Sequence, residues 1–314
     1  MRYYFAPLEG LTDSIFRSLH HKYFPGVDRY YTPFFSPTVH RSLTPKERRE
    51  LQIADTLDFA VVPQVLTRNA EDLLWMAQQC VDSGYRELNL NLGCPSGTVT
   101  AKKKGSGALQ DPEELDRFLD AVFSCSPIPI SVKTRIGFSS PEEFPKLLDI
   151  FNRYPICELT IHPRTRADFY KGSICKESFE YAVKNSKNPL CYNGNLCSKE
   201  AADAIGATYP GVDAVMLGRG LIANPGMLTP GGTTVAALEG FYDELLEAYC
   251  VAFGSTKNAM FRMKENWYYL SACFQDGDKL FKKLRKTTDI NEYHTITKEV
   301  FSTLQFCDVP HPNW

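Results

Sequence analysis

The residue best placed to do chemistry is Cys94. It closes a run of alternating leucine and asparagine, Leu88-Asn89-Leu90-Asn91-Leu92, and stands between Gly93 and Pro95. Alternation at period two reads as a strand and the Gly-Cys-Pro turn ends it, so one thiol is delivered to the carboxyl end of a strand. In a parallel α/β protein the loops gather at that end and ligands bind there. With Asn91 three residues earlier, such a thiol can act as a proton donor or a nucleophile. A cysteine taken alone is more often a small buried hydrophobe, so the reading depends on what the other strand ends carry.

They carry a consistent set. Ala6-Pro7-Leu8-Glu9-Gly10, Pro63-Gln64, Lys133-Thr134-Arg135, His162-Pro163-Arg164-Thr165-Arg166, Asn193-Gly194-Asn195 and Gly218-Arg219-Gly220 each lie at the end of a strand-like run. The glycines after the last two runs, with Arg219 beside them, suit a phosphate group. Lys133 can place positive charge where an anionic ring or an enolate develops. Gln64 can both donate and accept at the polar edge of a ring system, and His162 can reach a phosphate or a ring carbonyl. Lys102-Lys103-Lys104 followed by Gly105-Ser106-Gly107 reads as a cationic, glycine-hinged loop able to close over a substrate.

These positions need a scaffold that brings many strand ends to one face. Candidate strands at 3–7, 29–32, 59–65, 87–92, 130–135, 158–162, 190–193 and 214–218 alternate with amphipathic helices at 14–20, 44–51, 69–82, 112–123, 141–152, 176–185 and 198–207. Eightfold strand–helix alternation predicts a (β/α)8 TIM barrel rather than an open doubly wound sheet, and no G-x-G-x-x-G follows the first strand. After Pro225 the segment Thr229-Pro230-Gly231-Gly232 breaks the chain, and helical periodicity then runs over 235–253, 257–274, 277–286 and 289–305. The expected organisation is a barrel at 1–232 followed by a small C-terminal helical bundle at 233–314. In that bundle Lys279, Lys282, Lys283 and Lys286 share one helix face, while Leu280, Phe281 and Leu284 fall on the other.

The chain has 314 residues and a formal charge of −2, so any polyanion must be met by a local patch. Residues 257–314 are the basic part, with nine Lys/Arg against seven Asp/Glu. Ten cysteines occur without a C-x-x-C pair, and Met1-Arg2-Tyr3-Tyr4 leads straight into a strand rather than a signal peptide, which reads as reduced thiols in a cytoplasmic protein. No apolar run approaches the ~18 residues of a membrane span. No metal site is expected, and a monomer is the default.

Taken together, the motifs resemble those of the dihydrouridine synthase family of flavoenzymes, which acts on tRNA. The matching pieces are APLEGLTD at 6–13, VPQV at 62–65, LNLNLGCP at 88–95, SVKTRIG at 131–137, IHPRTR at 161–166, YNGN at 192–195, MLGRG at 216–220 and RMKENWYYL at 262–270. The likeness is to the bacterial branch whose first loop reads APMEG, with three departures. Leu8 stands for Met, Pro163 for Gly, and Asn195 for Asp or Gly.

The resemblance implies an FMN-dependent enzyme recharged by NADPH. Pro7, Leu8 and Glu9 would line one edge of the FMN ring and Gln64 and Lys133 would hydrogen-bond its polar atoms. His162, Asn193, Gly194, Asn195, Gly218 and Arg219 would bind the ribityl phosphate. Hydride would pass from flavin N5 to C6 of a uridine flipped out of folded RNA, with Cys94 protonating C5. Asn91 and Arg135 would contact that base. Lys102, Lys103, Lys104, Arg164, Arg166 and the four lysines of the 279–286 face would meet the RNA. The alternatives are an FMN barrel reducing a small pyrimidine, a synthase acting on rRNA, a lyase barrel in which Lys133 forms a Schiff base, and a non-catalytic RNA-binding protein.

Overall fold

Eight short runs rich in β-branched, aromatic and leucine residues form eight parallel strands: β1 (Arg2–Phe5), β2 (Arg29–Phe35), β3 (Val61–Val65), β4 (Leu88–Leu92), β5 (Ile130–Gly137), β6 (Leu159–Thr165), β7 (Leu190–Asn193) and β8 (Ala214–Leu217). The computed structural model describes residues 1–52 and 54–311, so the expected C-terminal domain extends three residues beyond the described ones. The strands close in sequence order into a TIM barrel. The Arg2 amide donates to the Asp213 carbonyl at 2.7 Å beside the β8–β1 seam.

Three strands run further than their sequence patterns predict. β2 continues through Pro33, which has no N–H to give the ladder, and its register against β3 shifts between Tyr31 and Phe34. β5 and β6 continue to Gly137 and Thr165, with a register shift between Arg135 and Gly137. The basic segment 162–165 is therefore strand rather than loop, which fixes alternate side chains on opposite faces of the sheet.

Contacts group the chain into two units: residues 1–7, 28–194 and 203–216 in one, and 8–27, 195–202 and 217–314 in the other. The expected boundary at 232–233 divides the chain by sequence, whereas contact groups the loop and helix after β1 with the C-terminal helices.

Within the second unit, α1 (Ser14–Tyr23) is capped by Asp13, whose side chain accepts from the Phe16 amide. Its Phe16 and His20 pack with Phe24 against Phe241.

Within the first unit helices follow the strands, and all but a one-turn helix after β4 lie where the periodicity predicts. They are α2 (Pro45–Glu50), α3 (Ala70–Asp82), the one-turn α4 (Gly97–Thr100), α5 (Pro112–Cys125), α6 (Phe144–Phe151) and α7 (Lys176–Asn185). Short polar side chains start them, as when Asn69 and Asp111 accept from the amides of Asp72 and Glu114. The next helix, α8 (Lys199–Thr208), spans the division between the units.

The remaining helices are α9 (Arg219–Ala223), α10 (Val235–Phe253), α11 (Thr256–Leu270), α12 (Asp278–Lys286) and α13 (Ile290–Thr303). They pack around Tyr242, Trp267, Phe281 and Phe301, and the Trp267 indole N–H donates to the Tyr293 hydroxyl at 2.7 Å. On α12 Phe281 and Leu284 are buried while Lys279, Lys282, Lys283 and Lys286 are exposed, the amphipathic split the spacing predicts. No helix among the described residues is long and apolar enough to cross a membrane.

Candidate active site

In the first unit a set of polar side chains runs along β3, β4 and β5 and on to the carboxyl ends of β4 to β6. In the leucine–asparagine strand, Leu88, Leu90 and Leu92 are fully buried, while Asn89 and Asn91 reach neighbouring strands with their amides. Gln64 on β3, also without solvent exposure, sits between them. Its Nε2 donates to Asn89 Oδ1 at 2.8 Å and its Oε1 accepts from Asn91 Nδ2 at 2.8 Å. Asn89 Nδ2 in turn donates to Ser131 Oγ on β5 at 2.8 Å.

Cys94 is half-buried, and the turn that carries it is bracketed on every backbone group near it. Asn91 Oδ1 accepts from the amides of both Gly93 (3.0 Å) and Cys94 (2.9 Å). Arg135 Nε donates to the Gly93 carbonyl at 2.9 Å. Ser106 Oγ and the Ser106 amide both donate to the Cys94 carbonyl, at 2.8 and 3.1 Å. The segment expected to be a glycine-hinged loop is instead a one-turn helix followed by a 3-10 turn, with Gly105, Ser106 and Gly107 buried. Gly105 has φ +56, and a Cβ there would stand 2.9 Å from the Cys94 carbonyl oxygen. Close packing on the thiol's own backbone thus explains the glycine, rather than a hinge.

The three lysines in that segment separate. Lys102 is exposed, Lys103 pairs with Glu114 at 2.8 Å, and Lys104 is half-buried with its Nζ on Ser36 Oγ at 3.3 Å. Burial lowers the Lys104 pKa from its ordinary value.

Lys133 is half-buried on β5. Burial, with the Arg135 charge adding to it, pushes its amine down to about 8, while Cys191 and Cys94 pull the other way. An amine close to its ionisation point, on the strand next to the one that delivers Cys94, is the kind of perturbed group that clusters in active sites.

Arg135, only 1% exposed, is spent internally: besides Gly93 it donates from Nη1 to the Thr165 carbonyl at 2.7 Å and stacks on the Tyr170 ring at 5.2 Å. Arg164, 2% exposed, lies 3.2 Å from His162 Nε2 through Nη1 and donates to the Gly172 carbonyl at 2.7 Å through Nη2. Both arginines, assigned to base and RNA by the resemblance, therefore brace the site. Arg166 stacks between the rings of Phe138 and Phe169, at 5.3 and 4.9 Å. Gly194 lies against His162, whose Cδ2 would be 3.6 Å from an added Cβ. Asn193 Nδ2 donates to the Met216 carbonyl at 2.7 Å. Pro7 follows β1 and is half-buried.

The second unit holds the other assigned positions. The Leu8 amide donates to Thr12 Oγ1 at 2.9 Å, and Glu9 is exposed. Arg219 Nη2 donates to Asn195 Oδ1 at 3.4 Å, and Asn195 takes φ +47, a conformation asparagine tolerates better than most residues. Gly218 immediately precedes Arg219 at the start of α9.

Sequence reasoning passed over Ser106, Asn89, Ser131 and Tyr170. Asn89 had a visible signal, since it shares the strand face of Asn91; the others show themselves only through partners distant in sequence.

The dihydrouridine synthase family model matches residues 4–309. Among curated proteins, the chain is 32% identical to tRNA-dihydrouridine synthase B of Proteus vulgaris over 224 residues, covering 70% of this chain and 67% of that one. It is 27% identical to the enzyme of the same name from Shewanella oneidensis, covering 94% and 91%. The tRNA-dihydrouridine(16) synthase of Neisseria meningitidis serogroup B is 27% identical, covering 94% and 93%. Among solved structures, morphinone reductase aligns with a TM-score of 0.51 at 14% identity, covering 72% of this chain and 84% of that one, which supports the barrel fold. A match over nearly the whole length, with the thiol-bearing turn held as described, makes this chain an oxidoreductase that belongs to the dihydrouridine synthase family.

Proposed function

We propose that the protein reduces a uridine in tRNA to 5,6-dihydrouridine, using FMN recharged by NADPH. The observation that carries the reading is the Gly93–Cys94 turn, held by Asn91, Arg135 and Ser106 at a strand end, with Lys133 paired in register with Asn91 on the next strand. Bracing of this order suits a proton donor that must meet one carbon atom from one side.

The residues present fit a flavin. Gln64 keeps one amide N–H beyond its bond to Asn89, and Lys133 adds a cation; together they suit the carbonyl-rich edge of an isoalloxazine ring, while Asn91 keeps one amide N–H for the base. His162, Asn193 and Gly194 are assigned to the phosphate, Gly194 lying against His162. Asn195, Gly218 and Arg219 carry the same assignment, and Pro7, Leu8 and Glu9 are assigned to the ring edge. FMN, when bound, would supply two-electron chemistry that no side chain of this protein can provide.

The protein's own share is then to hold and move a proton. Cys94 Sγ gives its proton to C5 of the uracil ring, and Lys133 holds positive charge beside the ring system. Exposed Lys102 and the lysines of α12 bring cations to the RNA backbone. In this reading residues 1–232 are the catalytic part, 233–314 the RNA-binding part, and the protein acts in the cytoplasm.

Purified protein should be yellow, with an FMN absorption band bleached by NADPH, and should form dihydrouridine on tRNA lacking it. Loss of dihydrouridine at one or more tRNA positions in cells without the protein is the expected cellular result. Dihydrouridine lost only from rRNA would replace the substrate, and a colourless protein that restores no activity with added FMN would end the flavoenzyme reading.

A further inference from the structure

Cys94 is set in place by a chain of side chains that begins on the neighbouring strand β5 and passes through β3. The Gly93 and Cys94 amides can only donate, so the Asn91 oxygen must face them. That leaves Asn91 Nδ2 to donate to Gln64 Oε1, which turns Gln64 Nε2 toward Asn89 Oδ1. Asn89 Nδ2 then points to Ser131 Oγ. Every link is 2.8 to 3.0 Å long, and register places Gln64 opposite Asn89 and Asn89 opposite Ser131 on adjoining strands. Reversing any one amide would set N–H against N–H or oxygen against oxygen at a buried junction, leaving buried polar groups unsatisfied. The chain therefore has a single direction, set by the backbone donors at one end, and the Ser131 hydroxyl, which can accept or donate, closes it at the other.

We propose that Asn89 and Ser131 are positioning residues for the site. By holding Gln64 and Asn91 in the orientation that the Gly93 and Cys94 amides demand, they keep the Cys94 turn in place and leave Gln64 with one unused N–H. The effect on the turn is a property of the protein alone; the effect on ring binding rests on the flavoenzyme reading. A purely structural role would be to satisfy buried polar groups, which predicts lost stability and nothing more.

The test uses the full chain with Asn89→Leu, Asn89→Asp and Ser131→Ala. Iodoacetamide alkylation of Cys94 is followed across pH by mass of its peptide, beside thermal midpoint and flavin absorption. Asn89→Leu removes the acceptor for Gln64, so Cys94 should alkylate about 2- to 10-fold faster with a shifted pH midpoint, the scale of one hydrogen bond. Asn89→Asp should restore the native profile, because one carboxylate oxygen accepts from Gln64 and the other from the Ser131 hydroxyl. Ser131→Ala, which deletes a single atom and so should fold even if Asn89→Leu does not, should shift the rate by at least about twofold. Native alkylation profiles in folded Asn89→Leu or in Ser131→Ala, or an Asn89→Asp profile matching that of Asn89→Leu, would overturn the proposal. If the wild type carries no flavin, the flavoenzyme reading fails while the alkylation result still decides the relay.

Discussion

At the scale of single residues, the site divides between a thiol and the groups that hold it. Replacing Cys94 with Ala leaves its backbone brackets from Asn91 and Ser106 in place, so the variant should fold, bind flavin and be bleached by NADPH. Dihydrouridine formation should fall by about 10²- to 10⁴-fold, the usual worth of a positioned acid. Near-native product formation on tRNA would make the thiol structural. Lys133 gives a pH signature whose sign follows from its lowered pKa of about 8. The amine is still charged at neutral pH, so steps that need its charge should decline as pH rises through about 8. In stability the sign is opposite: burying the charged form costs free energy below that value, and the cost fades as pH rises toward the unfolded amine's range. Lys133→Met should therefore melt higher than wild type at pH 7, with the difference shrinking in alkaline buffer, while flavin affinity or reduction drops. A variant that melts lower at pH 7 and bleaches normally would remove Lys133 from both roles.

At the scale of elements, the segment after Cys94 is the most informative departure from expectation. Three lysines and two glycines read as a mobile loop, yet Thr100, Gly105 and Gly107 pack so closely that a Cβ at Gly107 would stand 2.7 Å from the Thr100 carbonyl oxygen. Gly105→Ala must adopt a left-handed backbone and meet the Cys94 carbonyl, so it should cost about 1–3 kcal/mol and loosen the thiol's turn. A thermal melt and Cys94 alkylation check it against Gly97→Ala in the preceding helical turn, where nothing lies within 4 Å of the added carbon and the change should be close to neutral. If the two variants behave alike, packing at Gly105 does not hold Cys94. The extension of β6 to Thr165 has a comparable effect, because it turns a run of basic residues into alternating faces and buries Arg164.

At the scale of the whole molecule, the cationic face of α12 is anchored by Phe281 and Leu284 with its lysines in solvent, and Lys283 lies 3.7 Å from Glu292. Changing Lys279, Lys282, Lys283 and Lys286 together to Gln should leave the melt and flavin content unaltered but weaken tRNA binding, with the salt slope shallower by roughly one unit per lost phosphate contact. Unchanged affinity and slope would mark this face as merely solvated. The number and order of the strands, the helical C-terminal segment and the prominence of Cys94 were all legible in the sequence, because period-two and period-3.6 patterns and a Gly-Cys-Pro stop are local signals. What only the tertiary structure decided is which way the polar groups face. Arg135 reaches Gly93 across 42 residues and Thr165 across 30, Asn91 reaches Gln64 across 27, and Lys104 reaches Ser36 across 68. Such pairings are set by barrel closure and strand register, so a basic side chain bracing a turn and one awaiting a phosphate read alike until the barrel brings their partners beside them.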